Sequence, residues 1–198
     1  MSNETPDHAD DGPVYSYKPS LFGAPWLFRL GADALEWQVG RHRGRTPYAQ
    51  ITRVRLSYRP STMQARRLLT EVWCTGAPKL PIASASWRSL VEQESLDAAY
   101  GVFVRELHRR IAAAGTQATF VQGSPAFLYW PGLAIIAVTS LAIAVLAVRA
   151  AVHGDWAAAA IIAGFLAMFA WQGVMFFHRN RPGRYRPERV PPYLMPGS

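Results

Sequence analysis

Arginine carries most of the chemistry open to this chain. Nineteen of its 21 basic residues are arginine, against 13 acidic residues, for a net charge of +8. A guanidinium is always charged and presents its donors in a planar fork, which matches carboxylates and phosphates. Two groups have a spacing that could use it. Arg41, His42, Arg43 and Arg45 sit in one expected turn, with Gly40 and Gly44 as its glycines. Arg53, Arg55 and Arg59 share one face of a strand-like run with Ser57, while Thr52, Val54, Leu56 and Tyr58 take the other. Arg41, Arg43, Arg45, Arg53, Arg55 and Arg59 are the candidate surface for anionic lipid headgroups or an acidic partner. A solvated strand face and a loop tip is the plainer account of the same pattern.

Other chemistries find little support. The five histidines, His8, His42, His108, His153 and His178, are scattered, and no pair has ligand spacing. There is no GxSxG, P-loop or GxGxxG segment. Glu71, Glu92, Glu94 and Asp97 form no evident carboxylate pair, and surface charge is the expected role for them. Cys74 is the single cysteine, so no intramolecular disulfide is possible, and its apolar surroundings suit a core residue better than a nucleophile. No catalytic residue, metal or cofactor is expected. Net charge alone would also allow a nucleic-acid partner. Tethering to an anionic bilayer explains the charge more simply.

The elements that must position these groups fall into two parts. Residues 1–20 are polar, with Glu4, Asp7, Asp10 and Asp11 near the start, and read as a structureless acidic leader. From residue 21 to about 75 the pattern is strand-like. Trp26–Leu30 is one run, and Ala34–Val39 alternates with Leu35, Trp37 and Val39 on one face. Leu68–Thr75 and Leu80–Ala83 are further strands, so five to seven are expected. The period then lengthens: Leu96, Tyr100, Phe103, Leu107 and Ile111 form the stripe of an amphipathic helix. Ser89 with Glu92 matches a capping box, with Ser95 as the other candidate cap, and Gly115 is the expected stop.

Two uncharged apolar runs follow, Ala126–Val148 and Trp156–Phe177. About 20 helical residues cross a hydrocarbon core of about 30 Å, so each run is long enough to span it. The link 149–155 forces an antiparallel pair. Ser124 is a candidate cap for the first span, and Asp155 for the second. Pro131 marks either the start of the first span or a kink. Ala160 with Gly164, and Ala163 with Ala167, have the small-residue spacing that lets helices approach, and packing of the hairpin on itself is expected there. Arg109 and Arg110 precede the first span, and Arg179, Arg181, Arg184, Arg186 and Arg189 follow the second. This bias puts both termini in the cytoplasm of a bacterial-type inner membrane, with the five tail arginines as topology anchors. Pro191-Pro192 offers the tail a further use as an extended partner-binding segment.

Strands followed by a closing helix, beside a transmembrane hairpin, resemble the bacterial pleckstrin-homology-like (PH-like) membrane proteins. The residues that carry this resemblance are Leu27–Val39, the stretch Pro47, Tyr48, Ile51 and Val54, and the helix about Tyr100–Ile111. It covers residues 21–115. Many relatives place the spans before the domain, whereas here they follow it. The resemblance implies an α+β unit, a small antiparallel barrel or sheet capped by one helix, that binds or assembles rather than catalyses. The expected organisation is thus a leader (1–20), the PH-like domain (21–115), a linker (116–125), two spans and a Pro-rich tail (178–198). The expected role is a non-enzymatic interaction or assembly factor. The alternatives are an accessory subunit of a larger membrane complex and a membrane-tethered enzyme.

Overall fold

The computed structural model describes residues 12–60, 66–89 and 93–196. The chain is α+β and divides into two compact units: Met1–Val121 together with Arg184–Ser198, and Gln122–Gly183.

The first unit begins with an antiparallel meander of β1 (Val14–Tyr17), β2 (Trp26–Leu30), β3 (Ala34–Val39) and β4 (His42–Pro47). Alternation decides which side chains turn inward. Phe28 faces Trp37 and Leu30 faces Leu35 across β2 and β3, and all four are buried. Gly40, at φ 62°, makes the tight β3–β4 turn possible. Gly44 lies opposite Trp37, and a Cβ there would come within 2.5 Å of the indole, so only glycine fits beneath the ring. The Trp37 indole N–H donates to Thr46 Oγ1 at 3.0 Å.

The remaining strands are β5 (Ile51–Pro60), β6 (Arg66–Cys74), β7 (Leu80–Ala83), β8 (Ala85–Trp87), β9 (Gln93–Ser95), β10 (Thr119–Gln122) and β11 (Gly183–Arg184). They form a five-stranded sheet in the order β11-β10-β5-β6-β7 and a separate β8-β9 pair. The described strands thus make three sheets, with no closed barrel among them. Tyr15 and Tyr17 of β1 tie the first sheet to the second by donating their hydroxyls to the carbonyls of Ala83 and Pro81, at 2.5 and 2.7 Å. Helix α1 (Asp97–Ala113) buries Tyr100, Phe103, Leu107 and Ile111 of the expected stripe together with Gly101, Val104 and His108, while Leu96 precedes the helix and is half-buried.

Four local expectations are corrected. β1 lies inside the stretch read as leader, because Tyr15 and Tyr17 bury their rings while Val14 and Ser16 face outward. Residues 1–11 of that leader lie outside the described residues. Helix α1 starts at Asp97, and neither Ser89 nor Ser95 caps it: Leu96 holds the cap position and makes no side-chain cap bond. Glu92 lies outside the described residues, and the chain just before α1 is spent on β9. The linker 116–125 contains β10. The tail is no free appendage: Leu194 and Met195 join the hydrophobic core of the first unit.

The second unit is a hairpin of α2 (Ala126–Val152) and α3 (Trp156–Arg179), both long and apolar enough to cross a membrane. Asp155 caps α3 as expected, its Oδ1 accepting the Ala158 N–H at 3.0 Å. Ser124 does not cap α2; Pro125 takes that position. Pro131 lies within α2. The two helices approach through Gly132, beside Phe177, and Gly173, beside Ile136. Ala160, Ala163, Gly164 and Ala167 are exposed, so the expected self-packing at those positions does not occur. Glycine on the seam lets a bulky partner fill the gap, and the seam selects 132 and 173.

Candidate anionic docking face

The β5–β6 ladder places the second arginine group. A register shift between Ile51 and Arg53 takes Thr52 out of the alternation, so Thr52 is exposed instead of sharing the inner face with Val54. Beyond the shift the period of two holds: Val54 and Leu56 are buried, and Arg53 and Arg59 are exposed. Ser57, expected among the outward residues, is buried, which divides the strip between Arg55 and Arg59.

Across the ladder Arg53 faces Trp73, Arg55 faces Glu71 and Arg59 faces Arg67. Three cations therefore surround one indole. The guanidinium carbons of Arg55 and Arg53 lie 5.0 and 5.9 Å from the Trp73 ring centroid, and Lys79 Nζ lies 5.8 Å from it. Cations over an indole face are held by the ring quadrupole, worth about 0.5–1 kcal/mol each at exposed sites. Beneath them Glu71 is buried, at 4% exposure. Lys79 Nζ reaches its Oε1 at 2.8 Å, and Arg55 Nη1 reaches its Oε2 at 3.8 Å. Burial pulls Arg55 below the usual guanidinium value; Glu71 opposes this, and the neighbouring Arg53 and Arg59 add to it. One carboxylate thus answers two of the cations. Arg53 and Arg59 make no ion pair among the described residues.

The first arginine group is arranged differently. Arg41 lies in the β3–β4 turn, but Arg43 and Arg45 lie on β4 itself, because Gly40 and Arg41 alone close the turn. All three are exposed. Arg45 Nη2 pairs with Asp33 Oδ1 at 2.5 Å. The six predicted arginines therefore split between two sheets, with the ring-bound cations confined to the second. Trp73, Glu71 and Lys79 are the members that sequence reasoning missed. The only local signal was Trp73 at an alternate position of β6, and the pairing that sets it beside Arg53 is not written in either strand alone.

Of the tail arginines, Arg179 closes α3, Arg181 is exposed beyond it, and Arg184, Arg186 and Arg189 are exposed on the folded tail. Cys74 is half-buried, and burial pushes its thiol up to about 11, so little thiolate forms at neutral pH. Among the described residues no three metal-ligating side chains converge. The face can therefore present guanidinium and ammonium donors around an aromatic plate, which suits phosphate or carboxylate groups on a surface.

Comparison with known protein families, with curated proteins and with solved structures found no match. The chain is thus defined by its own architecture: an α+β unit joined to a hairpin of two apolar helices.

Proposed function

We propose that this chain is a two-span integral protein of a bacterial inner membrane, with both termini cytoplasmic, that acts as a non-enzymatic interaction or assembly factor. Its first unit, PH-like in this reading, is the docking module. The observation that carries the docking role is the gathering of Arg53, Arg55 and Lys79 around Trp73, with Arg53 free of any carboxylate among the described residues. Support for the membrane reading comes from the outward-facing side chains of α2 and α3, among them Ile135, Val138, Leu141, Val145, Ile161 and Phe165, all more than half exposed. Such surface is stable only in an apolar solvent. The cytoplasmic orientation rests on the arginines that flank the spans.

The test is affinity purification of the tagged full chain from native membranes, with mass spectrometry and lipid analysis of what copurifies. A partner or anionic lipid retained by wild type and lost from the Arg53→Glu/Arg55→Glu variant is the expected result. Equal recovery with the variant correctly inserted would overturn docking through this face. One observation favours a second reading, an accessory subunit of a larger membrane complex. Ala160, Ala163, Gly164 and Ala167 form an exposed small-residue stripe, and nothing lies within 4 Å of a Cβ built at Gly164. A stable stoichiometric complex in mild detergent that survives the arginine substitutions would support that reading instead.

A further inference from the structure

The first unit is built from both ends of the chain, and the hairpin is inserted between them. Residues 184–196 run back over α1 and take two anchor points. At the first, the Tyr185 N–H donates to the Phe120 carbonyl at 3.1 Å, and the Tyr185 hydroxyl meets His108 Nε2 at 2.7 Å. His108 Nδ1 lies 2.7 Å from the Val104 carbonyl, which can only accept. Nδ1 therefore carries the proton, and Nε2 accepts from Tyr185. His108 is 1% exposed, and without Tyr185 its Nε2 would be an unmet acceptor. At the second anchor, Leu194, 1% exposed, and Met195 sit in the same cluster as Phe103, Leu107 and Ile111. Between the anchors the tail stands off α1, leaving a groove of about 650 Å³ lined by Arg105, Arg109, Val190, Pro192 and Met195. Val190, half-buried between the two anchors, adds packing against the same core.

We infer that the tail is a latch whose receptor is the surface of α1, β5 and β10, and that a chain stalled after a single crossing cannot close the first unit. This inference rests on the membrane reading above. Helix α3 ends at Arg179, and Tyr185 follows six residues later. Six extended residues reach about 20 Å. A hydrocarbon core is about 30 Å thick, so a tail left on the far side cannot reach back. With only one crossing, the His108 acceptor and the Leu194 seat stay open. With two, the segment that follows α3 fills them. Completion of the first unit's core thereby excludes a chain stalled after one crossing, and such a chain carries an open apolar seat on its first unit.

The experiment compares three full-length forms in membranes: wild type, a form lacking residues 156–177, and Leu194→Asp with Tyr185→Phe. The readout is proteolysis and hydrogen exchange across α1 and β10. Loss of one buried anchor should speed cutting by about tenfold or more. The single-span form should match the double variant, although every residue of its first unit is intact. A synthetic peptide of residues 184–195 added on the α1 side should restore its protection, and a scrambled peptide should not. Full protection in the single-span form would overturn the coupling. Full protection in the double variant would overturn the latch itself. Release of wild type by alkaline carbonate would overturn the membrane reading and the coupling with it, while the double variant still scores the latch.

Discussion

The two units spend the same kinds of side chain in opposite ways. In the first, Phe28, Leu30, Leu56, Val104 and Leu107 are sealed between sheets, helix and tail, and polar groups face outward. In the hairpin, leucine, isoleucine, valine and phenylalanine point outward along both helices, and only Tyr129, Ala159, Gly173 and Phe177 count as buried. The first unit draws its stability from removing apolar surface from water, at roughly 25 cal/mol per Å². The hairpin gains nothing of that kind by packing on itself. Its backbone bonds are met inside each helix, and in the membrane reading proposed above its side chains face a solvent that is itself apolar. Burial in one unit and exposure in the other are thus two answers to one constraint.

Substitutions can break or sharpen this contrast. The largest effect is expected at the core: Phe103→Ala, at 1% exposure, should cost about 3–5 kcal/mol and lower the thermal midpoint of the first unit. The same change at Phe165, 61% exposed in α3, should leave that midpoint in place. If both lower it alike, the units are not separate in stability. Next comes Leu141→Arg, which should oppose insertion by about 2.5–3.5 kcal/mol and shrink the carbonate-resistant fraction. Its counterpart Val102→Lys, on the exposed face of α1, should change stability by no more than about 0.5 kcal/mol.

A comparable effect should appear with pH in the first unit alone. Burial holds the His108 imidazole down to about 4, against an ordinary value near 6.5. Between those values the unfolded chain binds the proton and the folded one does not. Stability is therefore fully present above about pH 6.5 and is lost as pH falls toward 4, by an amount on the order of 3 kcal/mol. Urea titrations of wild type and His108→Gln across that window check it; an equal slope in both would assign the loss to other groups. A small effect is also expected at the Arg45–Asp33 pair, which is exposed at both partners. Asp33→Asn should change stability by less than about 1 kcal/mol.

Much of the fold was legible because its signals are local. Period-two runs placed β2, β3 and the inner residues Val54 and Leu56, and a three-to-four spacing placed the buried stripe of α1. What stayed hidden depends on pairing across distance. β1 has only four residues in polar surroundings, and its tyrosines read as core only once Tyr15 meets Tyr100 and Phe103 and Tyr17 meets Trp26 and Phe28. Thr52 was assigned to the wrong face because a shift in register leaves no mark on the shifted strand. The candidate site was legible as a row of arginines, but the indole that gathers them lies on the next strand.

The sequence by itself determined two long uncharged apolar runs, an α+β segment ahead of them and an excess of arginine on both flanks. These follow from residue type and short-range period, which survive in the unfolded chain. Only the tertiary structure decided that Trp73 lies among Arg53, Arg55 and Lys79, and that the tail beyond α3 shares a core with α1. Both depend on pairing between separate elements, and for the tail the burial of Leu194 and the satisfying of His108 outweigh the entropy of closing the chain on itself.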